Sequence, residues 1–274
     1  MSLSKPTRAL TIAGFDPSGG AGVLADLRTF AAFSLQSCAA ITSITFQNSN
    51  RVFGAVHQPD EVVRAQVEPL LEGFTIVCAK TGMLPTREVV MEVARLFREM
   101  DLPRPVVDPV MLSSSGQRLM EEDAVEVLVA ELLPLARLVT PNIPEAETLT
   151  GMTITSETDM RRAAAAIRKL GARAVLIKGG HLGAQASCLP LSAEEAGKMP
   201  ALPEEAVDVL DNEGEVTVFR ERRISGSELH GSGCILSAAI AAGLGKGMTL
   251  EDSVGAAKSF VLAAIRSQRQ RREM

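Results

Sequence analysis

Residues 8–33 read RALTIAGFDPSGGAGVLADLRTFAAF. The first six, residues 8–13, are mostly apolar and short, the pattern of a buried strand. They end at Gly14, where a glycine-rich turn runs on to Gly22. From residue 21 to residue 33 apolar side chains recur at helical spacing. A buried strand, a tight turn and a helix in immediate succession form the first half of a parallel α/β unit.

The alternation continues along the chain. Strands are predicted at 38–46, 75–79, 105–108, 137–140 and 172–178. Helices are predicted at 60–71, 87–100, 122–133 and 157–170, the first of them started by Pro59 and Asp60. A hairpin over 207–210 and 215–220 turns at Asp211-Asn212-Glu213-Gly214, and helices over 233–244 and 250–267 follow. The fold class is therefore α/β, with a central, mostly parallel sheet covered by helices on both faces. Residues 183–205 contain Pro190, Pro200 and Pro203 without periodicity, and read as a surface-loop insertion in a single domain spanning 1–274. The basic stretch from Arg266 to Arg272 reads as a solvated helix end.

Composition narrows the partners. A net charge of -5 argues against nucleic acid, and 3% aromatic residues with no Trp or Tyr leave few platforms for stacking bases. No apolar run approaches a membrane span, and residues 1–8 lack the apolar core of a signal peptide, so a cytoplasmic protein is expected. Among Cys38, Cys78, Cys188 and Cys234 there is no C-x-x-C pair and no zinc-like spacing. Cys38 and Cys78 lie in apolar strand runs and read as buried thiols; Cys234 alone lies in a glycine-rich turn.

In an open parallel sheet, ligands bind beyond the carboxyl ends of the strands. Polar groups collect there: Gly14-Phe15-Asp16, Gln47-Asn48, Lys80-Thr81-Gly82-Met83, Asp108-Pro109-Val110-Met111, Thr140-Pro141-Asn142 with Glu145, and Lys178-Gly179-Gly180-His181. Six polar strand ends on one sheet edge form a single cleft. The turn from Gly14 to Gly22 lacks the lysine of a phosphate loop and is not G-x-G-x-x-G. Its bland reading is a strand-to-helix turn with Asp16 or Ser18 as N-cap.

A second glycine-rich turn, Leu229-His230-Gly231-Ser232-Gly233-Cys234, opens a helix. Free backbone amides and the helix dipole make such a turn an anion site. Cys234 in that first helical turn is expected to have its thiolate stabilised and its pKa lowered; the alternative is that it only fills space. Two such turns on one α/β sheet point to phosphoryl transfer. Asp108 is either a loop-capping carboxylate or a Mg²⁺ ligand, and Glu145 is either an early-helix carboxylate or a second ligand. Lys178, before two glycines, either snorkels or meets a closely approaching ligand. His181 and His230 read as turn and supporting residues, since no His–carboxylate cluster is visible in the sequence. His57 reads as an exposed strand residue, and Met83 and Met111 are compatible with the core.

These stretches, in this order, resemble the hydroxymethylpyrimidine/phosphomethylpyrimidine kinases of thiamin biosynthesis, which have the ribokinase-like fold. The match also takes in residues 11–22, Ala25-Asp26-Leu27, Leu84 and Ala146, and covers nearly the whole chain outside 183–205. The resemblance implies ATP-dependent phosphorylation of a pyrimidine hydroxymethyl group and then of the resulting monophosphate. It implies that Gln47 and Met83 contact the pyrimidine, with Gly14 and Ala21 lining its pocket. Asn142 and Lys178 then face the ATP phosphates, and Asp108 and Glu145 organise Mg²⁺. Gly231, Ser232, Gly233 and Cys234 form the anion hole, with Cys234 as candidate base where sugar kinases of the fold carry Asp. A homodimer is common in the family. Leu229 and Ser232 replace two threonines of the family motif, Phe46 is expected to add bulk beside the pocket, and Arg51 adds a charge. A pyridoxal or pyridoxine kinase, or a non-catalytic pyrimidine-binding protein, are the alternative readings.

Overall fold

The computed structural model describes residues 5–48, 51–113, 115–180, 205–222 and 230–273. The candidate residues His181 and Leu229, Cys188, and the 183–205 insertion apart from Glu205 lie outside them. Nine strands form one sheet: β1 (Thr7–Phe15), β2 (Ser37–Gln47), β3 (Val52–His57), β4 (Thr75–Thr81), β5 (Val106–Val107), β6 (Leu138–Val139), β7 (Ala174–Lys178), β8 (Glu205–Asn212) and β9 (Glu215–Arg222). Their order is β3-β2-β1-β4-β5-β6-β7-β8-β9. The six central strands, β2 to β7 in that order, run parallel, whereas β3, β8 and β9 join antiparallel at the two edges.

Helices cover both faces: α1 (Gly22–Ala32), α2 (Asp60–Gly73), α3 (Arg87–Glu99), α4 (Glu122–Val127), α5 (Ile143–Thr150), α6 (Glu157–Lys169), α7 (Ser232–Gly245) and α8 (Leu250–Glu273). Consecutive strand residues go to opposite layers. Val107, Val139, Val175 and Ile177 pack with residues of α2 to α6, while Val106, Leu138, Ala174 and Leu176 pack with α1, α7 and α8. Burial on both faces is why these strands read as unbroken apolar runs. Residues 238–242 of α7 are fully buried, and the small side chains of Ala238, Ala239, Ala241 and Ala242 let the helix lie close on the sheet.

The predicted elements are all present, with two differences. β3 was not predicted as an element, although His57 read as a strand residue, because Gln47, Asn48 and Arg51 interrupt the apolar pattern and the strand is short and carries a glycine. The helix predicted over 122–133 is α-helical only to Val127 and passes through a π turn (Leu128–Leu132) and a 3-10 turn (Leu133–Leu135). Pro134 has no amide hydrogen to continue the ladder.

Candidate active site

The two glycine-rich turns touch. Gly22 has φ +57°, and a Cβ there would lie 2.2 Å from the Gly14 carbonyl oxygen. Gly231 has φ +77°, and a Cβ there would lie 2.1 Å from the carbonyl oxygen of Gly20. Only glycine permits both the conformation and the approach. The first loop therefore folds back on its strand, and the turn before α7 presses on that loop.

Asp16 organises this junction. It is 2% exposed and accepts hydrogen bonds from Ser18 N at 2.8 Å, Ser18 Oγ at 3.0 Å and Ala21 N at 2.8 Å. The Gln47 side chain lies close enough to Asp16 to help lower its pKa. His230 Nε2 lies 3.1 Å from Asp16 Oδ2. Burial by itself raises the Asp16 pKa, but the bonds from Ser18 and Ala21 and the nearby Gln47 side chain together hold it below the usual carboxylate value. Asp16 and Ser18 do not cap α1, as the turn reading expected. The N-cap is Ala21, without a side-chain bond, and Asp16 grips its amide from outside the helix. The His230–Asp16 pair corrects the expectation that no His–carboxylate cluster exists; its members are 214 residues apart in sequence.

Around Asp16 stand the predicted pyrimidine contacts. A Cβ on Gly14 would meet Met83 Sδ at 3.0 Å, and Thr42 Oγ1 donates to the Met83 carbonyl at 2.6 Å. A cavity of about 260 Å³ opens beside Met83, lined by Val52, Ala55 and His57 of β3 and by Leu119. Phe46 is half exposed and lies over Gly54. Arg51 stacks on the exposed Phe53 ring at 4.2 Å. His57 is exposed, as expected, and its Nδ1 hydrogen-bonds Ser43 Oγ at 2.7 Å.

The predicted phosphate and metal residues gather at the ends of β5, β6 and β7. Lys178 Nζ donates to Asp108 Oδ1 at 3.0 Å, and Thr140 Oγ1 donates to the same oxygen at 3.1 Å. Ser237 Oγ donates to Asp108 Oδ2 at 3.3 Å. Burial opposes ionisation of Asp108, but Lys178 and Lys80 with these hydrogen bonds hold its pKa down. Asn142 and Glu145 form a capping box at α5: Glu145 N donates to Asn142 Oδ1 at 2.9 Å, and Asn142 N to Glu145 Oε2 at 2.8 Å. This leaves the Asn142 side-chain NH₂ as its donor for a ligand. Burial pushes the Glu145 carboxyl up to about 7, with Lys178 opposing and Asp108 adding to the rise.

The start of α7 faces this group. A Cβ on Gly233 would lie 3.2 Å from Lys178 Nζ. The helix has no side-chain cap, and Ile235 N is the amide that bonds back to the Gly231 carbonyl, at 3.0 Å. The amides of Ser232, Gly233 and Cys234 precede that bond and have no intrahelical partner.

Cys234 departs from expectation. The Gly22 amide donates to its sulfur, yet its pKa is pushed up to about 11. Burial is the main cause; Lys80 lowers it, and Asp108 and Asp26 raise it. The helix terminus alone favours a thiolate, but two buried carboxylates and desolvation outweigh it. Cys38 and Cys78 are pushed up by burial too, to about 11 and about 12; Cys78 is buried, as expected, whereas Cys38 is only partly buried.

Lys80 and Asp26 were matched in sequence but given no role. Lys80 Nζ donates to Asp26 Oδ1 at 3.0 Å and Oδ2 at 2.8 Å, and Thr11 Oγ1 donates to Asp26 Oδ2 at 2.6 Å. Both charged side chains are fully buried. Burial works against the Lys80 charge, but Asp26, Cys234 and Asp108 raise its pKa and keep it protonated. The available signal was a charge on an apolar face: Asp26 shares its face of α1 with Val23, Thr29 and Phe30.

A strand-end cleft, an uncapped helix N-terminus and the Lys178–Asp108 pair facing it define a small-molecule kinase of the ribokinase-like fold. The family profile described as phosphomethylpyrimidine kinase matches residues 16–273, and the chain belongs to that family. It is 41% identical over 260 residues to the hydroxymethylpyrimidine/phosphomethylpyrimidine kinase of Streptomyces coelicolor, covering 95% of this chain and 89% of that one. Its structure is similar to an ADP complex of Bacillus subtilis pyridoxal kinase, with TM-score 0.79, 35% identity, and 96% and 92% of the two chains covered. It is also similar to the phosphomethylpyrimidine kinase of Clostridium difficile, with TM-score 0.77, 35% identity, and 96% and 100% covered.

Proposed function

We propose that the protein transfers the γ-phosphoryl group of ATP to the hydroxymethyl group of 4-amino-5-hydroxymethyl-2-methylpyrimidine, and then phosphorylates the resulting monophosphate. The observation that carries this reading is the contact between the two turns. Gly231 against Gly20 brings the uncapped start of α7, with Lys178 and Asp108, beside the Gly14, Ala21, Gln47 and Met83 cluster. In this reading an anion hole and a small-ring pocket share one wall.

In this reading the pyrimidine lies over Gly14, Ala21 and Met83 with Gln47 at its edge. The amides of Gly231 to Cys234 receive the transferring phosphoryl group, where preorganised donors act without reorganising. Lys178 and the Asn142 NH₂ hold the remaining ATP phosphates. Catalysis then rests on positioning and charge stabilisation. Asp108 and Glu145 fit a Mg²⁺ site. They are two buried carboxylates that raise each other's cost of ionisation, and among the described residues no third His, Cys, Asp or Glu joins them. Mg²⁺ is held through one or two carboxylates with phosphate and water oxygens, and when bound it neutralises charge on those phosphates.

Cys234 is proposed to accept the hydroxymethyl proton. Its thiol is protonated in the free protein at neutral pH, so the base form is a minor species there. Cys234→Ser should lower turnover by roughly 10²–10⁴ with little change in pyrimidine affinity. Turnover near wild type would leave Cys234 a space-filling residue.

The protein is taken to be a single, cytoplasmic domain acting as a homodimer. Among the described residues no helix is long and apolar enough to cross a membrane. The exposed Ile44 and Phe46 on β2 and Phe53 and Val56 on the edge strand β3 support self-association. ADP release should be assayed with hydroxymethylpyrimidine, its monophosphate and pyridoxal. Release with the first two supports the proposal. Release with pyridoxal alone identifies a pyridoxal kinase, the reading favoured by the likeness to the Bacillus subtilis structure. No release with any of them leaves a pyrimidine-binding protein.

A further inference from the structure

We infer that Lys258 of α8 is a positioning residue for ATP: by pairing with Asp208 it leaves Lys178 free to face the cleft. The inference rests on the reading above that Lys178 holds ATP phosphates.

Lys178 and Asp208 stand opposite each other in the antiparallel pair β7–β8. Residues directly opposed in such a pair share a face, with Cβ atoms about 4.5–5.5 Å apart. Leu176 and Leu210, two residues away on each strand, pack in the layer of α7 and α8. The strand period of two puts Lys178 and Asp208 on that same face. Lys178 therefore has two carboxylates within reach of its stem, Asp108 at the end of β5 and Asp208 alongside. It donates to Asp108, at 3.0 Å.

Asp208 is matched elsewhere. Lys258 Nζ donates to its Oδ2 at 2.5 Å, and the Gly179 amide donates to its Oδ1 at 2.9 Å. Asp208 and Lys258 are 7% and 8% exposed, so their pairing is little screened. The Gly179 bond also fixes the end of β7. Lys178 N donates to the Pro141 carbonyl at 2.9 Å, and the next amide along goes to the Asp208 side chain, so the chain is held on both sides at Lys178.

Four charges thus alternate along this edge: Asp108, Lys178, Asp208 and Lys258. A lysine is a point charge on a flexible stem and follows uncompensated negative charge. With Lys258 in place Asp208 carries its own counter-ion, and the carboxylates that most raise the Lys178 pKa are Asp108 and Glu145. Without Lys258, Asp208 becomes a nearly buried anion directly opposite Lys178. The Lys178 ammonium is then drawn across the strand pair, away from Asp108 and from the start of α7, where a Cβ on Gly233 would lie 3.2 Å from it. Lys258 acts on the nucleotide through Asp208 and Lys178.

The test measures kcat/KM for ATP by ADP release at saturating 4-amino-5-hydroxymethyl-2-methylpyrimidine, well below the melting temperature of each variant. Lys258→Met should lower it by about 10–10²-fold, the range for losing one hydrogen bond to a charged group, with KM for the pyrimidine little changed. Adding Asp208→Asn should restore most of the loss, because Asn still accepts from Gly179 N but has no charge to draw Lys178. In the Lys178→Met background, Lys258→Met should have no further effect.

If the pair only stabilises the fold, Lys258→Met melts earlier but keeps wild-type kcat/KM for ATP, which overturns the proposal. A loss that Asp208→Asn does not restore, or one that adds to that of Lys178→Met, shows Lys258 acting by another route and overturns it too. If Lys178→Met itself keeps wild-type kcat/KM for ATP, the underlying reading of Lys178 fails, a result that failure of the Lys258 inference alone does not produce. Should Lys258→Met not be recovered folded, Lys258→Gln decides, since it keeps a donor to Asp208 without the counter-charge. A loss restored by Asp208→Asn supports the proposal; wild-type kcat/KM for ATP, or a loss not restored, overturns it.

Discussion

Two lysine–aspartate pairs stand near the same strand ends, at similar distances, in different surroundings. Lys80 is fully buried and donates to both oxygens of Asp26, at 3.0 and 2.8 Å, while Thr11 holds one of those oxygens at 2.6 Å. Lys178 keeps 15% of its side chain exposed and bonds Asp108 through Oδ1 alone, at 3.0 Å. The first pair has no open side and serves as a fixed element of charge beneath the site. The second opens on the start of α7 and beside Glu145, where an incoming phosphate or cation can share its partners. Enclosure, more than residue type, is what separates the two pairs.

The largest expected effect falls on the enclosed pair. Lys80→Met leaves Asp26 buried without a counter-charge, and should cost about 3–5 kcal/mol of stability in a denaturant titration. Replacing both members, Lys80→Met with Asp26→Leu, should recover most of that. A loss below about 1 kcal/mol in the single variant would break the comparison.

The open pair should respond in activity instead. Asp108→Asn is expected to lower turnover by roughly 10²–10³, comparable to removing one electrostatic stabiliser. Its melting temperature should fall less than that of Lys80→Met. A variant that melts early but turns over normally would exchange the roles of the two pairs.

Glu145 gives a pH signature of the open side. Its folded-state pKa, about 7, lies above its ordinary 4.5, so between these values the folded protein binds more protons than the unfolded chain. Stability should therefore fall as pH rises from about 4.5 to about 7 and level off above, by on the order of 1 kcal/mol per pH unit at most. Glu145→Gln should flatten that slope. Melting curves that rise with pH across the same window for wild type relative to Glu145→Gln would contradict the assignment.

The smallest effect reads both pairs at once, since Lys80 lowers the Cys234 pKa while Asp108 and Asp26 raise it. Alkylation of Cys234 by iodoacetamide should be slow at neutral pH and accelerate toward pH about 11. At fixed alkaline pH, Asp108→Asn should speed it severalfold and Lys80→Met should slow it. Equal rates in the two variants would place Cys234 outside the influence of both pairs.

Much of the candidate site is legible in the sequence. Asp108, Asn142 and Lys178 stand out because each ends or follows an apolar strand run, and strand ends on one edge of a parallel sheet must converge; Gln47 and Met83 gain a role only from the family resemblance. Lys80 was seen in the same way, but its partner was not. Asp26 sits in a helix whose spacing alone cannot show which buried cation it meets. The Cys234 expectation failed for a related reason. A helix terminus is visible in sequence and favours the thiolate, whereas the carboxylates that oppose it come from α1 and β5.

The sequence by itself determined the order of strands and helices and the row of polar strand ends, because hydrophobic periodicity and glycine turns are local properties of the chain. Only the tertiary structure decided which charges are enclosed, that His230 reaches Asp16, and which way the thiol of Cys234 titrates. Those outcomes depend on distance and on exclusion of water between segments remote in sequence, and no local pattern encodes either.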